Sequence, residues 1–506
     1  MAFGGEVDGP PDPASPPLVF RATIGAMFDR APSPDTIDRI GRALGRFDLR
    51  LLGDDEERLR IHTQHLASEY LAPRLRSPDS PLVVAVVGVS GSGKSTLINS
   101  IARRRISAEG RLRPTTTEPV AWAGDELPGT LDALRHRLPG RLVDTLRPPP
   151  KSLVIVDTPP PGVTGPDGDS IAAQILDVAD ACILVTGGTR YADGAGFDLA
   201  ARAQARGIPT VFVLNRLPAT PELSGVIVGD FAAKLAARGH IERAASELIV
   251  PISEGPVSED SGGLPGDWIT GLRKEVETLA DPESRPSLLE HVVAQSTLIL
   301  VGALASLRAM LITAEARRAD LTDPVRIAYG RAADDLLLAV RSGEYAETGF
   351  DPDTFADTLA AAAARRASRA SREVTDRWAE MAPELVDSSK LGHGPDVPAA
   401  AHERISWWEA DLPSLAAELG SKRLRDRNAG RLIDTVRLSV ADRHHVPRGK
   451  YARLMRKLPG MVDAARLLLE EELVGILDAD SNRFTASLGP SLPDGLLADL
   501  TLEVGQ

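Results

Sequence analysis

A glycine-rich run that ends in lysine, serine and threonine constrains this chain more than any other feature. The run covers residues 88–96 and matches the pattern G-x-x-x-x-G-K-[ST] in full. It follows an apolar segment at 82–87 and leads into a helical pattern at 94–105, which is the context this pattern requires. Glycines let successive backbone amides turn toward one anion, and the following helix presents its positive end to the same charge. The sequence therefore predicts a polyphosphate-binding loop between a strand and a helix.

The residue types in this loop suit a nucleoside triphosphate with its metal ion. Lys94 would reach the β- and γ-phosphates, and the Ser95 hydroxyl would coordinate Mg²⁺. The other positions would contribute backbone amides. The candidate nucleotide-binding residues of the loop are Gly88, Ser90, Gly91, Ser92, Gly93, Lys94, Ser95 and Thr96.

Short apolar runs alternate with helical patterns over residues 82–280. The runs are rich in β-branched residues and too short for helices. Continuous apolar strands that alternate with helices predict an α/β fold with a mainly parallel sheet covered on both faces, in three layers. The predicted strands lie at 82–87, 153–156, 181–185, 210–214 and 248–252, and predicted helices at 198–206 and 229–238.

Outside this region the pattern predicts helices and tails. We expect an all-α helical bundle that draws on the N- and C-terminal regions, with breaks near Pro324, Pro352 and Pro447 and a loop at 387–398. The predicted divisions are a disordered tail at 1–17, N-terminal helices at 18–80, the α/β domain at 82–280, a C-terminal bundle at 281–480 and a tail at 481–506.

Composition excludes several classes of protein. A hydrophobic fraction of 43% and a charged fraction of 25% exclude a fully disordered chain and a collagen-like fibre. Cys182 is the single cysteine, so the chain has no internal disulfide and fits a reducing cytosol. A net charge of −13 argues against a surface that coats nucleic acid, so nucleic acid is not an expected partner.

The N-terminus is polar and proline-rich, which does not fit a secretory signal. The longest uncharged apolar stretch, 291–307, has 17 residues, fewer than the roughly 20 that a membrane-spanning helix needs. A buried core helix is the favoured interpretation of that stretch. We expect a cytoplasmic protein that associates peripherally with the inner face of the membrane.

A single aspartate follows the strand predicted at 153–156. The run Asp157-Thr158-Pro159-Pro160 resembles D-x-x-G, the third motif of GTPases of the translation-factor-related class. The resemblance implies that Asp157 holds Mg²⁺ through water. The chain departs from the motif at Pro160, which has no amide N–H to offer the γ-phosphate. Gly162 is a candidate to supply that contact instead.

A threonine-rich run lies between these two motifs. The sequence RPTTTEP at 113–119 resembles the switch segment of bacterial dynamin-like GTPases. The resemblance implies that Thr116 closes over Mg²⁺ when a γ-phosphate is present, with Thr115 and Thr117 as alternates.

Two further motifs follow later strands and concern the base. Asn215 and Arg216 resemble the start of N-K-x-D, and Ser253 resembles the serine of the S-A-K loop over the base. Pro218 stands where the aspartate of that motif would accept hydrogen bonds from guanine. GTP or GDP is the expected ligand, and ATP stays open as an alternative.

Five motifs in this order resemble the dynamin-like branch of P-loop GTPases, which implies a GTPase with Lys94 and Thr116 in catalytic roles. Its Mg²⁺ would be held by Ser95, Thr116 and Asp157. Relatives carry glutamine or asparagine where this loop has Ser90 and Gly91, so we expect slow hydrolysis. An arginine from another molecule, with Arg190 and Arg113 as candidates, would accelerate it.

The resemblance also implies that nucleotide state is coupled to helical rearrangement or to dimerisation through the GTPase domain. The loop at 189–193 lies where such proteins place dimer contacts, although an ordinary surface loop is the favoured interpretation. Two other functions stay open: a nucleotide-binding scaffold without useful turnover, and a ribosome- or RNA-associated GTPase.

Residues 422–457 carry 12 basic and three acidic residues, a net charge of +9 in an acidic chain. Such a segment predicts docking on an anionic lipid surface, worth roughly 1 kcal/mol per basic residue near the membrane. RNA is an alternative partner. A third interpretation pairs the arginines with the carboxylates at 470–472 or near the N-terminus.

Overall fold

A computed structural model of the chain describes most of its residues. These are 32–46, 53–107, 118–124, 141–144, 149–150, 152–164, 170–242, 245–346, 354–386, 396–419, 429–442, 445, 447–456 and 458–502. They fall into two compact units. The first contains Asp54–Ala309 with parts of both chain ends, and the second contains Met310–Pro493.

The first unit is built on a seven-stranded sheet with the order β3-β2-β4-β1-β5-β6-β7. All neighbouring strands are parallel except β2 and β4, which are antiparallel. The central strands β1, β4 and β5 are buried along their whole length, which explains their continuous apolar sequences. The strands are β1 (Leu82–Val87), β2 (Val120–Ala123), β3 (Arg141–Asp144), β4 (Leu153–Asp157), β5 (Ala181–Gly187), β6 (Thr210–Leu217) and β7 (Ile249–Ser253).

Helices cover the sheet and complete the first unit, so the predicted α/β class with a mainly parallel sheet is confirmed. The helices before the sheet belong to this unit, and a π-helical turn, Leu66–Leu71, joins two of them. The helices are α1 (Pro34–Leu44), α2 (Asp54–His65), α3 (Ala72–Arg76), α4 (Lys94–Ala102), α5 (Ile171–Leu176), α6 (Gly194–Ala205), α7 (Pro221–Ala237) and α8 (Thr270–Leu279).

The second unit is the predicted all-α bundle. Its core contains two tryptophans whose indole N–H groups are satisfied: Trp378 donates to the Leu321 carbonyl at 2.9 Å and Trp408 to the Ala465 carbonyl at 2.7 Å. The later helices of the chain are α9 (Arg285–Ser342), α10 (Phe355–Met381), α11 (Val397–Glu418), α12 (Ala429–Ala441), α13 (Lys450–Met455), α14 (Met461–Ser487) and α15 (Leu496–Asp499).

Four details differ from the sequence-based expectations. The short strands β2 and β3 were not predicted. Helix α9 runs 58 residues through Pro324, where a break was expected. Helix α14 ends at Ser487, beyond the expected boundary at 480. The N-terminal helices α1–α3 lie in the first unit, so the described bundle is built from Met310–Pro493.

Helix α9 is also the one described helix that is long and apolar enough to cross a membrane by length and composition. Its most apolar 18-residue window has a mean hydropathy of 1.9, and 33% of that window is buried. The stretch at 291–307, expected to be a buried core helix, is helical and buried on one face, where Val292, Leu300 and Leu304 lie, whereas Leu298 is exposed.

Candidate functional site

The glycine-rich loop leaves the end of β1 and enters α4, as the sequence predicted. Two of its glycines cannot be replaced without displacing neighbouring groups. Gly88 has φ 149°, and a Cβ there would lie 2.0 Å from the Val185 carbonyl oxygen. Gly93 has φ 99°, and a Cβ there would lie 2.3 Å from Nδ2 of Asn215. The loop is therefore held against the ends of β5 and β6, the strands next to β1 on that side of the sheet.

Lys94, at the first position of α4, folds back over the loop. Its Nζ donates hydrogen bonds to the carbonyl oxygens of Gly88 at 2.7 Å and Val89 at 3.3 Å. Burial lowers the pKa of Lys94 to about 8, and the nearby Asp157 carboxylate partly opposes that shift. The ammonium group is thus desolvated and held by two neutral carbonyls. A phosphate at this position would place negative charge in direct contact with the ammonium, where now only carbonyl oxygens bind it.

Asp157 ends β4 beside the loop and is fully buried. Its Oδ2 accepts hydrogen bonds from Ser95 Oγ at 2.7 Å and Ser107 Oγ at 2.6 Å. Its Oδ1 is buried with no hydrogen-bond partner among the residues that the structure describes. Burial raises the pKa of Asp157, while the two hydroxyls and Lys94 lower it. A buried carboxylate with one unused oxygen is a group that a cation would stabilise.

The donor set beside the loop fits Mg²⁺. Magnesium ions prefer hard oxygen ligands and are usually held by one or two carboxylates together with substrate phosphates. Ser95 Oγ and the Asp157 carboxylate already lie in contact. Ser95 and Asp157 would therefore hold the ion, with the third predicted ligand, Thr116, outside the described residues.

Ser107 is a site residue that the sequence analysis missed. Asn99 of α4 holds it in place: Asn99 Oδ1 accepts from the amides of Ile106 at 2.7 Å and Ser107 at 3.0 Å. Asn99 Nδ2 donates to the Ser107 carbonyl oxygen at 3.0 Å. No recognised motif contains Ser107. The available signal was the polar pair Asn99-Ser100 between apolar residues of the loop helix.

At the end of β6, Asn215 joins the predicted base region to the loop. Its Nδ2 donates to the Ser92 carbonyl oxygen at 2.9 Å, and its Oδ1 accepts from the Arg216 amide at 2.9 Å. Arg216 has φ 59°, a left-handed conformation that is uncommon for a side chain of this size. The structure thus brings Asn215 to the phosphate-binding loop, as its motif requires.

Ser253 ends β7, next to β6, where Leu217 pairs with it. The following amide, that of Glu254, donates to the Leu217 carbonyl oxygen at 2.8 Å. A Cβ on Gly255 would lie 2.2 Å from the ring of Trp268, so this loop rests directly on an indole. Asn215, Arg216 and Ser253 therefore lie on adjacent strand ends at one edge of the sheet.

The remaining candidates from the sequence are the threonines of the switch segment and two arginines. Thr115, Thr116, Thr117 and Arg113 lie outside the described residues. Arg190 is exposed in the turn after β5.

The segment at 422–457 is described only in part. The third interpretation paired its arginines with the carboxylates at 470–472. In the structure Glu470 pairs with Arg341 at 2.6 Å and Glu472 with Arg404 at 2.9 Å, both from outside the segment. Within the segment, Arg437 pairs with Glu409. Two of the three carboxylates proposed as partners are thus already bound to other arginines.

Part of the first unit matches a known protein family. The family described as "50S ribosome-binding GTPase" matches residues 83–216, which run from β1 to the Asn215–Arg216 pair. The chain therefore contains a P-loop GTPase domain. No curated protein sequence matches the chain.

Two solved structures resemble the chain along most of its length. Both are described as an oligomerised bacterial dynamin pair that provides a mechanism for the long-range sensing and tethering of membranes. The first is 10% identical, with 92% of this chain and 76% of that chain covered and a TM-score of 0.29. The second is 12% identical, with 92% and 80% covered and a TM-score of 0.26. Because both TM-scores are below 0.5, the function proposed below rests on the site.

Proposed function

We propose that this chain is a Mg²⁺-dependent guanine-nucleotide-binding protein that hydrolyses GTP slowly. The observation that carries the proposal is the buried Asp157 carboxylate, whose Oδ1 has no partner among the described residues. This carboxylate accepts a hydrogen bond from Ser95 and lies near the desolvated Lys94 ammonium. A metal-bound triphosphate would complete this site, because it would bind the loop amides, the buried ammonium and, through the metal ion, the incompletely bonded carboxylate.

Nucleotide binding would change some contacts of the site and keep others. The Lys94 ammonium would leave the Gly88 and Val89 carbonyls and donate to phosphate oxygens. The loop amides would donate to the same phosphates, while Ser95 and Asp157 would hold Mg²⁺. The ion, when bound, neutralises charge on the β- and γ-phosphates. Asn215 would keep the loop and the base region in register through its bond to the Ser92 carbonyl.

Slow turnover follows from the residues around the γ-phosphate position. Prolines occupy 159–161, after Asp157 and Thr158, so these three positions offer no backbone amide, and the Thr158 amide already donates to the Val86 carbonyl oxygen. No glutamine occupies the loop or this segment to position a water. Hydrolysis would then depend on a group from another molecule, for which Arg190, exposed in the turn after β5, remains a candidate.

The proposed function has two further parts, a conformational response to the nucleotide and binding to lipid. The proposal includes coupling of nucleotide state to helical rearrangement or to a homodimer through the GTPase domain. It also includes peripheral binding of the basic segment 422–457 to anionic lipid. Co-sedimentation with phosphatidylglycerol vesicles, compared with phosphatidylcholine vesicles, tests the lipid part. Binding that ignores lipid charge would remove it.

A ribosome-associated GTPase is a second candidate, and one observation favours it. The family that matches residues 83–216 is described as a 50S ribosome-binding GTPase. Co-sedimentation of the protein with purified 50S subunits, with GDP or a non-hydrolysable GTP analogue, tests this candidate. Nucleotide-dependent co-sedimentation would favour it over the lipid-docking function.

The nucleotide-binding proposal is tested by calorimetric titration of the purified protein with GDP, GTP and ATP in the presence of Mg²⁺. The wild-type chain and Lys274→Ala, which removes an exposed lysine from α8, should bind GTP. Lys94→Ala should lose detectable binding, because the phosphates lose their buried cation. Unchanged affinity in Lys94→Ala would overturn the site assignment, and a tenfold preference for ATP would overturn the guanine assignment.

A further inference from the structure

The second unit contains a polar cavity of about 440 Å³ between helices α9 and α10. Alanines from both helices form part of its wall, and their small side chains leave open the space that longer residues would fill. The cavity lies entirely among residues 328–373, so it shares no residue with the nucleotide site of the first unit. Its volume falls within the range of ordinary small-molecule sites.

The charged residues around this cavity are mostly arginines. Four arginines line it against two carboxylates, and three of the four lie within two turns of α10. The charged lining residues are Arg331, Arg365, Arg366, Arg369, Asp335 and Glu373. We call this cavity the arginine groove.

The carboxylates do not neutralise the groove. Glu373 pairs with Arg331 at 3.2 Å across the two helices. Arg366 donates to the carbonyl oxygen of Ala362 in its own helix at 3.4 Å. Arg365 and Arg369 form no ion pair with any residue that the structure describes, and like charges four residues apart on a helix destabilise it. The groove therefore has an excess of positive charge that an anion would offset.

The positive groups of the groove are guanidiniums, and this limits the class of anion that fits them. Guanidinium groups are planar and present paired N–H donors, which match the two oxygens of a phosphate in a bidentate manner. Several guanidiniums around one small cavity suit a group with many acceptor oxygens and more than one negative charge. We propose that the arginine groove binds a phosphate-bearing anion, at a site separate from the phosphate-binding loop.

This ligand has two chemical sources, a soluble phosphorylated molecule or the headgroup of a phospholipid. Pyrophosphate serves as the soluble probe and phosphatidylglycerol vesicles as the membrane probe, with phosphatidylcholine vesicles for comparison. The full-length protein carries Lys94→Ala in every sample, so that the loop of the first unit does not contribute to binding.

The groove variant is Arg365→Ala with Arg369→Ala. Both side chains are exposed and without ion pairs among the described residues, so the variant should fold normally, as circular dichroism would verify. The matched control is Arg372→Ala with Arg377→Ala, which removes the same charge from α10 outside the groove. We expect the groove variant to bind at least about tenfold more weakly than the control.

Each outcome either identifies the source of the ligand or overturns the proposal. Weakened pyrophosphate binding in the groove variant alone supports a soluble ligand, and weakened binding to phosphatidylglycerol vesicles alone supports a headgroup. Loss of both supports the shared chemistry. Equal affinities of groove variant and control for both probes, or no binding of either probe by the parent protein, would overturn the proposal.

Discussion

Two fully buried aspartates lie near opposite ends of β1, and they differ in how completely they are bonded. Asp180 precedes β5 and accepts hydrogen bonds on both oxygens. Its Oδ2 accepts from the Val83 amide at 2.7 Å and from Arg74, and its Oδ1 accepts from the Tyr70 hydroxyl at 3.0 Å. Asp157 places both of its hydrogen bonds on Oδ2 and leaves Oδ1 with none from the described residues.

The Asp180 carboxylate is fully bonded within a structural network, although Nε of Arg74 and Nε and Nη2 of Arg206 are buried with no hydrogen-bond partner among the described residues. Burial and the Asp180 carboxylate raise the pKa of Tyr70 well above its ordinary value, so its hydroxyl stays a donor. The guanidinium of Arg206 lies 4.4 Å from the centre of the Tyr70 ring and donates to Ser296 Oγ at 2.8 Å. These contacts tie α3, α6 and α9 to the start of the central strand. The two carboxylates therefore differ in one respect: both oxygens of Asp180 are bonded to protein groups, whereas Oδ1 of Asp157 is left for a cation.

The largest effect expected from this comparison is on stability. Asp180→Asn removes the charge that compensates the buried Arg74, and breaking such a pair costs roughly 3–5 kcal/mol. We expect chemical denaturation to show a loss of that size. Asp55→Asn serves as the control, because its pair with Arg58 is exposed and should contribute about 1 kcal/mol or less. Equal losses in the two variants would break the comparison.

At Asp157 we expect substitution to cause no loss of stability. Its raised pKa means that the folded state disfavours the charged form, so this group opposes folding at neutral pH and stops doing so when pH falls through its folded pKa. Asp157→Asn should therefore keep the stability of the nucleotide-free protein. It should lose the dependence of nucleotide affinity on Mg²⁺, measured by titration with and without EDTA. A stability loss like that of Asp180→Asn would contradict this interpretation.

The smallest expected effect is at Ser107, which orients the Asp157 carboxylate. Groups that orient a metal ligand typically change metal affinity about tenfold or more when removed. Ser107→Ala should raise the Mg²⁺ concentration needed for half-maximal GTP binding by about tenfold, with little change in nucleotide affinity measured in EDTA. Ser107→Thr keeps the hydroxyl and should restore the wild-type value. A uniform loss of affinity with and without Mg²⁺ would indicate a merely structural role.

The sequence predicted the parts of the fold whose residues are buried on both sides. Strands β1, β4, β5 and β6 are continuous apolar runs, and the motifs at their ends placed Lys94, Asp157 and Asn215 near one another. Strands β2 and β3 escaped prediction because each has only four residues at one side of the sheet, and β3 includes charged residues at both ends.

The rest depended on tertiary packing. Pro324 removes a helix hydrogen bond, which costs roughly 3 kcal/mol, yet α9 continues because Leu321, Val325 and neighbouring residues are buried in the bundle core. Ser107 belongs to no motif, and only the fold brings its hydroxyl to Asp157. The arginine groove likewise forms between two helices that a single sequence does not pair.

The contact between Gly255 and Trp268 has a practical consequence. The loop after β7 lies at the edge where Asn215 and Arg216 also end their strand, and it touches the indole directly. Indole emission responds to changes in polarity and in nearby quenching groups. Any movement of this loop on ligand entry would therefore alter intrinsic fluorescence, and Trp268→Phe would isolate that signal from the other four tryptophans. The chain thus carries a built-in optical reporter that needs no dye.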